Sequence, residues 1–397
     1  MAETLLLQAG VMFAAVAAVG VLADRAGVSP IPLYIVAGIA VNEYVAGGAG
    51  LPYVHESEFV AVGAELGIVF LLLFLGLEFD LGRLVRERSS LLRAGVADFA
   101  VNFAVGLALG WALFGSLRAG VLVAGIVYIS SSAVITKTLL DLGWIANPES
   151  GPVLGTLVFE DLVIAVYLAV VSAVVLGGGT LAEAAPTVGV AVGFLAVLGV
   201  LVAVGEPALA RLLDTNSAEY FVLRVVGLTV LVAGAALAVG VSEAVAAFFV
   251  GTALGTTEFA HVVEERLTPV KDTFAAVFFF WIGLLTDPAA VVGVLDVLAV
   301  AVAVSAPAKV VSGYYGGQAY GLTDRRSLRV GLALVTRGEF SLIIAAAATA
   351  AAGTTIPVAL ANDVYAFAVG YVLVMSVLGT VLMQYSGAVE RYLPATG

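Results

Sequence analysis

The stretch Gly155-Thr-Leu-Val-Phe-Glu160-Asp161-Leu-Val-Ile164 sets two adjacent carboxylates in the middle of an otherwise apolar run covering 152–177. A run of that length crosses the hydrocarbon of a bilayer as a helix, for which about 20 apolar residues are enough. As a helix it also satisfies its own backbone hydrogen bonds, which lipid demands. Glu160 and Asp161 are residues that such a segment should have rejected, because a charge at mid-bilayer costs about 2.5–3.5 kcal/mol on insertion scales. The rest of the chain has the same character. Of its 397 residues 62% are hydrophobic and 12% charged, with mean hydropathy +1.12, whereas a soluble domain carries about 25% charge to wet its surface. The alternating strands of a membrane barrel are not visible.

Thirteen candidate spans lie at 4–23, 31–47, 58–78, 94–115, 119–141, 152–177, 186–205, 219–240, 242–256, 272–286, 289–318, 327–352 and 364–386. The expected fold class is therefore an all-α, polytopic membrane protein. The span at 242–256 is short, and that at 289–318 is long enough to be tilted or broken. Positive charge collects in short cytoplasmic loops. With the N-terminus outside, the inside segments hold Arg25, Arg83, Arg86, Arg88, Arg93, Arg211, Arg266, Lys271, Arg325, Arg326, Arg329 and Arg391, twelve of the seventeen basic residues. The outside loops hold Arg118 alone, and Lys137, Arg224, Lys309 and Arg337 fall within spans. This bias predicts an outside N-terminus and a cytoplasmic C-terminus; the expected location is the plasma membrane. Leu5 to Leu22 lacks a basic flank before it and reads as a first span rather than a cleaved signal.

Thirteen divides into six, one and six. The expected first half is 1–178, with a broken helix at 119–141 and the acidic helix at 152–177. Linker helix seven occupies 179–215, and the second half is 216–397, with a broken helix at 327–352. Two six-helix halves of opposite orientation are what an inverted-repeat transporter requires. The symmetry is one of topology, since no residue-by-residue repeat is visible. About ten residues follow the last span, so no soluble regulatory domain is expected there.

The polar residues inside the spans suggest the chemistry. A dehydrated Na+ or K+ needs oxygen ligands and a compensating charge, and a carboxylate whose proton affinity is raised by burial holds either a cation or a proton. Adjacent helical positions diverge by about 100°, so one of Glu160 and Asp161 lines a cavity while the other meets a neighbouring helix; a structural ion pair is the alternative. Tyr128-Ile-Ser130-Ser131-Ser132-Ala-Val-Ile-Thr136 interrupts helix five with hydroxyls that compete for backbone hydrogen bonds. An unwound segment there would lend further oxygens, Ser131 and Ser132 among them, although serines also pack helices together. Ser305-Ala-Pro307-Ala-Lys309 buries a lone ammonium, whose natural partner is Glu160 or Asp161 and whose alternative is snorkelling to the interface. In Thr336-Arg337-Gly338-Glu339-Phe-Ser341 the glycine loosens the helix. Arg337 and Glu339 add charge there, with Arg337 expected at helix ends rather than on the ion.

Other polar residues read more plainly. Lys137 and Asp141 are one turn apart and expected to pair, while Asp98 and Asn102 share a helix face and read as packing groups. Glu65, Arg224, Glu243 and Asp296 are structural or gating candidates. His55 and His261 lie too far apart for a metal site. The chain has no cysteine, hence no disulfide or thiolate site, and a net charge of −12 excludes nucleic acid as a driving partner. No Walker loop, nucleophile elbow or zincin motif appears, so neither ATP-driven pumping nor hydrolysis is supported and no cofactor is expected.

These residues resemble the Kef-type and sodium/proton exchangers of the monovalent cation/proton antiporter superfamily, second branch. Leu22-Ala-Asp-Arg-Ala-Gly-Val-Ser-Pro-Ile-Pro-Leu-Tyr-Ile-Val-Ala-Gly38 is similar to the family's opening. Glu65-Leu-Gly-Ile-Val-Phe-Leu-Leu-Leu-Phe-Leu-Gly-Leu-Glu78-Phe-Asp80 is close to its third-helix signature, and Ser130-Ser-Ser-Ala-Val-Ile-Thr-Lys137 to the motif of its discontinuous helix. Phe278-Phe-Phe-Trp-Ile-Gly283 and Gly331-Leu-Ala-Leu-Val-Thr-Arg-Gly-Glu-Phe-Ser341 also match.

The resemblance implies a homodimer in the lipid bilayer, with a scaffold domain and a mobile core domain that carries two crossed broken helices. It implies Na+ or K+ exchanged for H+ by an elevator-like movement, and no enzymatic activity. Asp161 matches the essential carboxylate and Lys309 the basic residue of the neighbouring core helix. Ser130 to Ser132 and Arg337 fall on the two broken segments. Glu160 departs from the Asp, Asn or Gln of relatives, keeping the charge of the electrogenic type on a longer arm. Potassium-efflux relatives carry Gln in place of Arg337 and end in a nucleotide-binding domain, so nucleotide or glutathione gating is not expected. The rival readings are a cation channel, an organic-anion carrier on a similar scaffold and, more distantly, a membrane enzyme.

Overall fold

The computed structural model describes residues 2–27, 30–77, 88–171, 181–239, 241 and 243–391. Val28 and Ser29 of the opening motif, Glu78 and Asp80 of the third-helix signature, and the loop arginines Arg83 and Arg86 lie outside the described residues, as do the side chains of Lys137, Asp141 and Glu339. Among the described residues the structure is helical apart from one isolated bridge between Ala352 and Ile356. The first part of the chain forms α1 (Ala2–Ala26), α2 (Ile31–Ala40), α3 (Glu58–Leu77), α4 (Arg88–Phe114), α5 (Leu117–Tyr128), α6 (Ser132–Asp141) and α7 (Ser150–Val170). Next come α8 (Leu181–Val204), α9 (Glu206–Leu213), α10 (Ala218–Ala238), α11 (Glu243–Gly255) and α12 (Ala260–Leu284). The last part forms α13 (Pro288–Gly293), α14 (Leu295–Ala319), α15 (Asp324–Ala333), α16 (Glu339–Ala350), α17 (Val358–Gln384) and α18 (Ser386–Glu390).

Among the described residues, seven helices are long and apolar enough to cross a membrane: α1, α4, α7, α10, α12, α14 and α17. Helices α8 and α9 form one further candidate, bent by 74° at Gly205. The stretch 119–141 consists of α5 and α6 around a non-helical Ile129–Ser131, and 327–352 of α15 and α16 around Leu334–Gly338. The long run at 289–318 divides at Val294 into α13 and α14. One boundary needs correction. The span read at 272–286 is only the second half of α12, which starts at Ala260; Glu264, Glu265, Arg266, Lys271 and Asp272 hide its first half from a hydropathy reading.

The chain forms two compact units, each drawing helices from distant parts of the sequence. One is built on α1–α3 and α8–α12. One cluster of its core joins Phe70, Leu73 and Phe74 of α3 to Phe221 and Val225 of α10, Val250 and Leu254 of α11, and Val263 and Leu267 of α12. A second cluster gathers Met12, Ala37, Val60, Val277 and Phe280. Leu6, Leu7, Val204 and Leu231 leave more than two-thirds of their surface uncovered, as side chains with lipid for solvent do. Lipid tails are as apolar as leucine, so helix contacts depend on close approach rather than on hydrophobic drive. At the α3–α11 contact a Cβ on Gly251 would run into the Leu73 carbonyl oxygen.

The other unit is built on α4–α7 and α13–α18. Here α4 packs on α5 and α14, α14 on α15, and α16 on α17. Ile135 and Leu139 of α6, Val153 and Leu157 of α7, Val330, Ala333 and Leu334 at the end of α15, and Met383 of α17 form its core beside the breaks. Tyr167 Oη donates to the Val121 carbonyl at 2.7 Å and seats α7 against α5. Arg329 of α15 donates to Glu149 before α7 at 3.0 Å and to Glu390 of α18 at 2.7 Å, tying three segments at one end. Both broken helices and the helix bearing Glu160 and Asp161 thus belong to one body.

The Gly251 contact makes a measurable claim. Gly251→Ala should lower the midpoint of thermal unfolding in detergent, since overpacking a tight contact costs about 1–3 kcal/mol. Gly227→Ala, whose added Cβ would meet open space, should leave the midpoint unchanged or raise it slightly. Chromatography of heated samples distinguishes the two; equal midpoints would count against backbone approach as the limit on this packing.

Candidate functional site

A helix that stops inside a membrane leaves N–H and C=O groups without partners, and no water is available to meet them. The two breaks solve this for each other. From the first break, Ser130 Oγ donates to the Leu334 carbonyl at 3.0 Å and the Ser131 N–H to the Thr336 carbonyl at 3.1 Å. From the second, Arg337 Nε donates to the Val127 carbonyl at 3.0 Å and Ser341 Oγ to the Ile126 carbonyl at 2.9 Å. Arg337 Nη1 also bonds the carbonyls of Leu334, Val335 and Thr336 at 2.8–2.9 Å. A fully buried guanidinium therefore caps the C-terminal ends of both α5 and α15, where the helix dipoles are negative. Gly338 is required by the crossing, because a Cβ there would collide with the Ser131 side chain.

Beside the crossing lies a second buried cation. Lys309 Nζ, fully buried, donates to Asp98 Oδ2 at 2.7 Å, Glu160 Oε1 at 2.7 Å and the Tyr128 carbonyl at 2.9 Å. Its three protons are thus used, one on the last carbonyl of α5. Glu160 accepts in addition from the Ser130 N–H at 2.6 Å, and the Ser130 hydroxyl, 3.0 Å from both Glu160 Oε1 and the Leu334 carbonyl, shares its one proton between them. A carboxylate therefore sits at the N-terminal end of α6, the positive end of that dipole. Asp98 accepts through Oδ1 from Ser312 Oγ at 2.7 Å and Asn102 Nδ2 at 2.9 Å. Asp161, the next residue of α7, is 4% exposed.

Of the residues singled out in the sequence, Glu160, Lys309, Ser130 and Arg337 meet within one framework. Lys309 chooses Glu160 and does not snorkel. Ser131 caps α6, its Oγ accepting from the Val134 N–H at 3.3 Å. Ser132 Oγ is buried and has no hydrogen-bond partner among the described residues. Asp98 and Asn102 need correction: they are not packing groups, since Asp98 is the second counter-charge of Lys309 and Asn102 one of its supports. Sequence reasoning also passed over Ser312. The available signal was the helical spacing of Asp98 with Asn102 and of Lys309 with Ser312, which puts polar pairs on two helix faces. Arg224 is half-buried and bonds the carbonyls of Leu212 and Asp214 at 2.8 and 3.1 Å, a structural role.

Arg337→Ala would strand the Val127 and Val335 carbonyls, at about 1–3 kcal/mol for each buried acceptor left unmet. Thermal unfolding in detergent should report that loss, with Arg337→Lys in between because an ammonium lacks the planar fork. Wild-type stability in Arg337→Ala would refute the capping role.

Comparisons with known proteins identify the family. The family described as sodium/hydrogen exchanger, transmembrane, matches residues 11–384. The K(+)/H(+) antiporter subunit KhtU of Bacillus subtilis is 32% identical over 394 residues, 98% of this chain and 96% of that protein. The ammonium/H(+) antiporter subunit AmhT of Alkalihalophilus pseudofirmus is 30% identical over 391 residues, 97% of this chain and 94% of that protein. The structure of the sodium proton antiporter MjNhaP1 from Methanocaldococcus jannaschii aligns with a TM-score of 0.74 at 15% identity, covering 99% of this chain and 100% of that one, and so has the same fold. This chain is a multi-pass membrane protein of the sodium/hydrogen exchanger family, whose members here are cation/proton antiporters.

Proposed function

We propose that the chain exchanges Na+ or K+ for H+ across the plasma membrane, with Asp161 binding cation and proton in turn. Glu160 serves as second ligand, Ser131 and Ser132 lend oxygens, and Lys309, Arg337 and Glu339 supply supporting charge. The observation that carries this reading is the engagement of Glu160 by Lys309 and Ser130 immediately beside Asp161. One acid of the pair has its charge balanced by an ammonium, and its neighbour on α7 supplies a second carboxylate at the same depth. Competition between an alkali ion and a proton for that carboxylate is sufficient for exchange. The buried Ser132 hydroxyl, unbonded among the described residues, is an oxygen suited to a dehydrated cation.

The relatives' names cover K+ and ammonium, both monovalent, which agrees with a site built on charge and oxygen. An organic-anion carrier would need basic groups without counter-charge beside the paired acids, whereas the ammonium found there, Lys309, is matched by two carboxylates. The reading includes thirteen spans with the N-terminus outside and the C-terminus cytoplasmic, arranged as inverted halves 1–178 and 216–397 joined by 179–215. Reciprocal bonding between one broken helix from each half supports that division. It also includes a homodimer and an elevator-like movement of the unit that holds the whole site, since a body carrying every charged group of the crossing can move without separating them.

Reconstituted vesicles with an internal pH dye provide the test. Asp161→Asn should abolish Na+- or K+-dependent proton movement, down to the level of empty vesicles; retained flux would remove Asp161 from the role. Glu160→Gln should change how the flux responds to an imposed membrane potential, because one charge of the moving site is gone. An identical response would show that Glu160 is not counted in the transported charge.

A further inference from the structure

Lys309 poses a problem for any cation site at Glu160 and Asp161. When Glu160 turns from the ammonium to an incoming ion, an unpaired positive charge would remain a few ångströms away and repel that ion. The structure contains a remedy. Asp98 Oδ2 lies 2.7 Å from Lys309 Nζ, the same distance as Glu160 Oε1, so the ammonium is shared evenly between an acid of α4 and an acid of α7. Asp98 is 1% exposed. Its other oxygen is fixed by Ser312 Oγ and Asn102 Nδ2, and Asn102 Nδ2 also bonds Ser312 Oγ at 2.9 Å. Both supports are neutral donors, so Asp98 has no competing cation among these partners. Glu160 in contrast is held by Lys309 and by a serine at the unwound segment.

We propose that Asp98 is the holding partner of Lys309, a positioning residue that keeps the ammonium on the α4 side while Glu160 is released to the transported cation. It thereby sets the apparent affinity for that cation. The inference rests on the assignment of Glu160 and Asp161 as the cation site. Asp98 touches neither the ion nor the exchanged proton; it acts through Lys309. Asn102 and Ser312 hold the Asp98 carboxylate in place.

The test uses the full chain in proteoliposomes, with initial rates of K+- and Na+-dependent proton movement measured against cation concentration. Asp98→Asn should raise KM for the cation about tenfold, the scale of one buried charge close to the ion, with a much smaller fall in maximal rate. Moving the acid one turn along α4, in Asp98→Asn with Asn102→Asp, should restore most of the affinity. In a Lys309→Gln background Asp98→Asn should change KM less than twofold, because the residue through which Asp98 acts is gone. Should Asp98→Asn alone not reach the membrane, these two double variants decide, since each keeps the summed charge of the Asp98, Lys309 and Glu160 group. A KM shift of equal size with and without Lys309, or a loss of rate that the relocated acid does not repair, would overturn the proposal in favour of a merely structural Asp98. Survival of transport in Asp161→Asn would instead sink the underlying site assignment, so the two failures are distinguishable.

Discussion

Backbone groups that cannot reach water govern this architecture. Any interruption of a helix in hydrocarbon exposes donors and acceptors, each costing several kcal/mol if unmet. The protein interrupts two helices at one place and lets each break answer the other. Ser130 and Ser131 donate to carbonyls at the end of α15, while Arg337 and Ser341 donate to carbonyls at the end of α5. Neither break is tolerable alone. Their pairing creates a local polar region within a body otherwise packed by leucine, valine and alanine.

Charge follows the same logic. The carbonyl ends of α5 and α15 call for cations and receive Lys309 and Arg337, and the amide end of α6 calls for an anion and receives Glu160. Lys309 would be prohibitive by itself in so dry a place, and two carboxylates with a carbonyl complete its shell. The outcome is a set of buried charges fixed by geometry, next to which Asp161 provides a further carboxylate on α7.

Much of this was legible in the sequence, for reasons that can be named. Lipid forces helices, so hydropathy located nearly every long span, and three consecutive serines or an Arg-Gly pair inside a span announced a break. A buried lysine demands a carboxylate, which pointed to Glu160 or Asp161. Other features were hidden. The polar first half of α12 defeats hydropathy because Glu264, Glu265 and Arg266 accompany a helix that extends beyond its apolar part. Asp98 and Lys309 are 211 residues apart, and only the packing of α4 on α14 brings them together. Which of two adjacent acids would take the lysine depended on the rotation of α7, fixed by contacts such as Tyr167 with Val121 that leave no local trace.

The reciprocal bonding of the breaks also sets a timetable for biosynthesis. Ser130 and its Leu334 acceptor are separated by 204 residues, so at about 5–20 residues per second a ribosome needs about 10–40 seconds to deliver the second half of the crossing. During that interval the interrupted helix has to be sheltered, by the insertion machinery or by water at the membrane surface. The unit that carries both broken helices is consequently the last to be completed, closing only when α17 has left the ribosome.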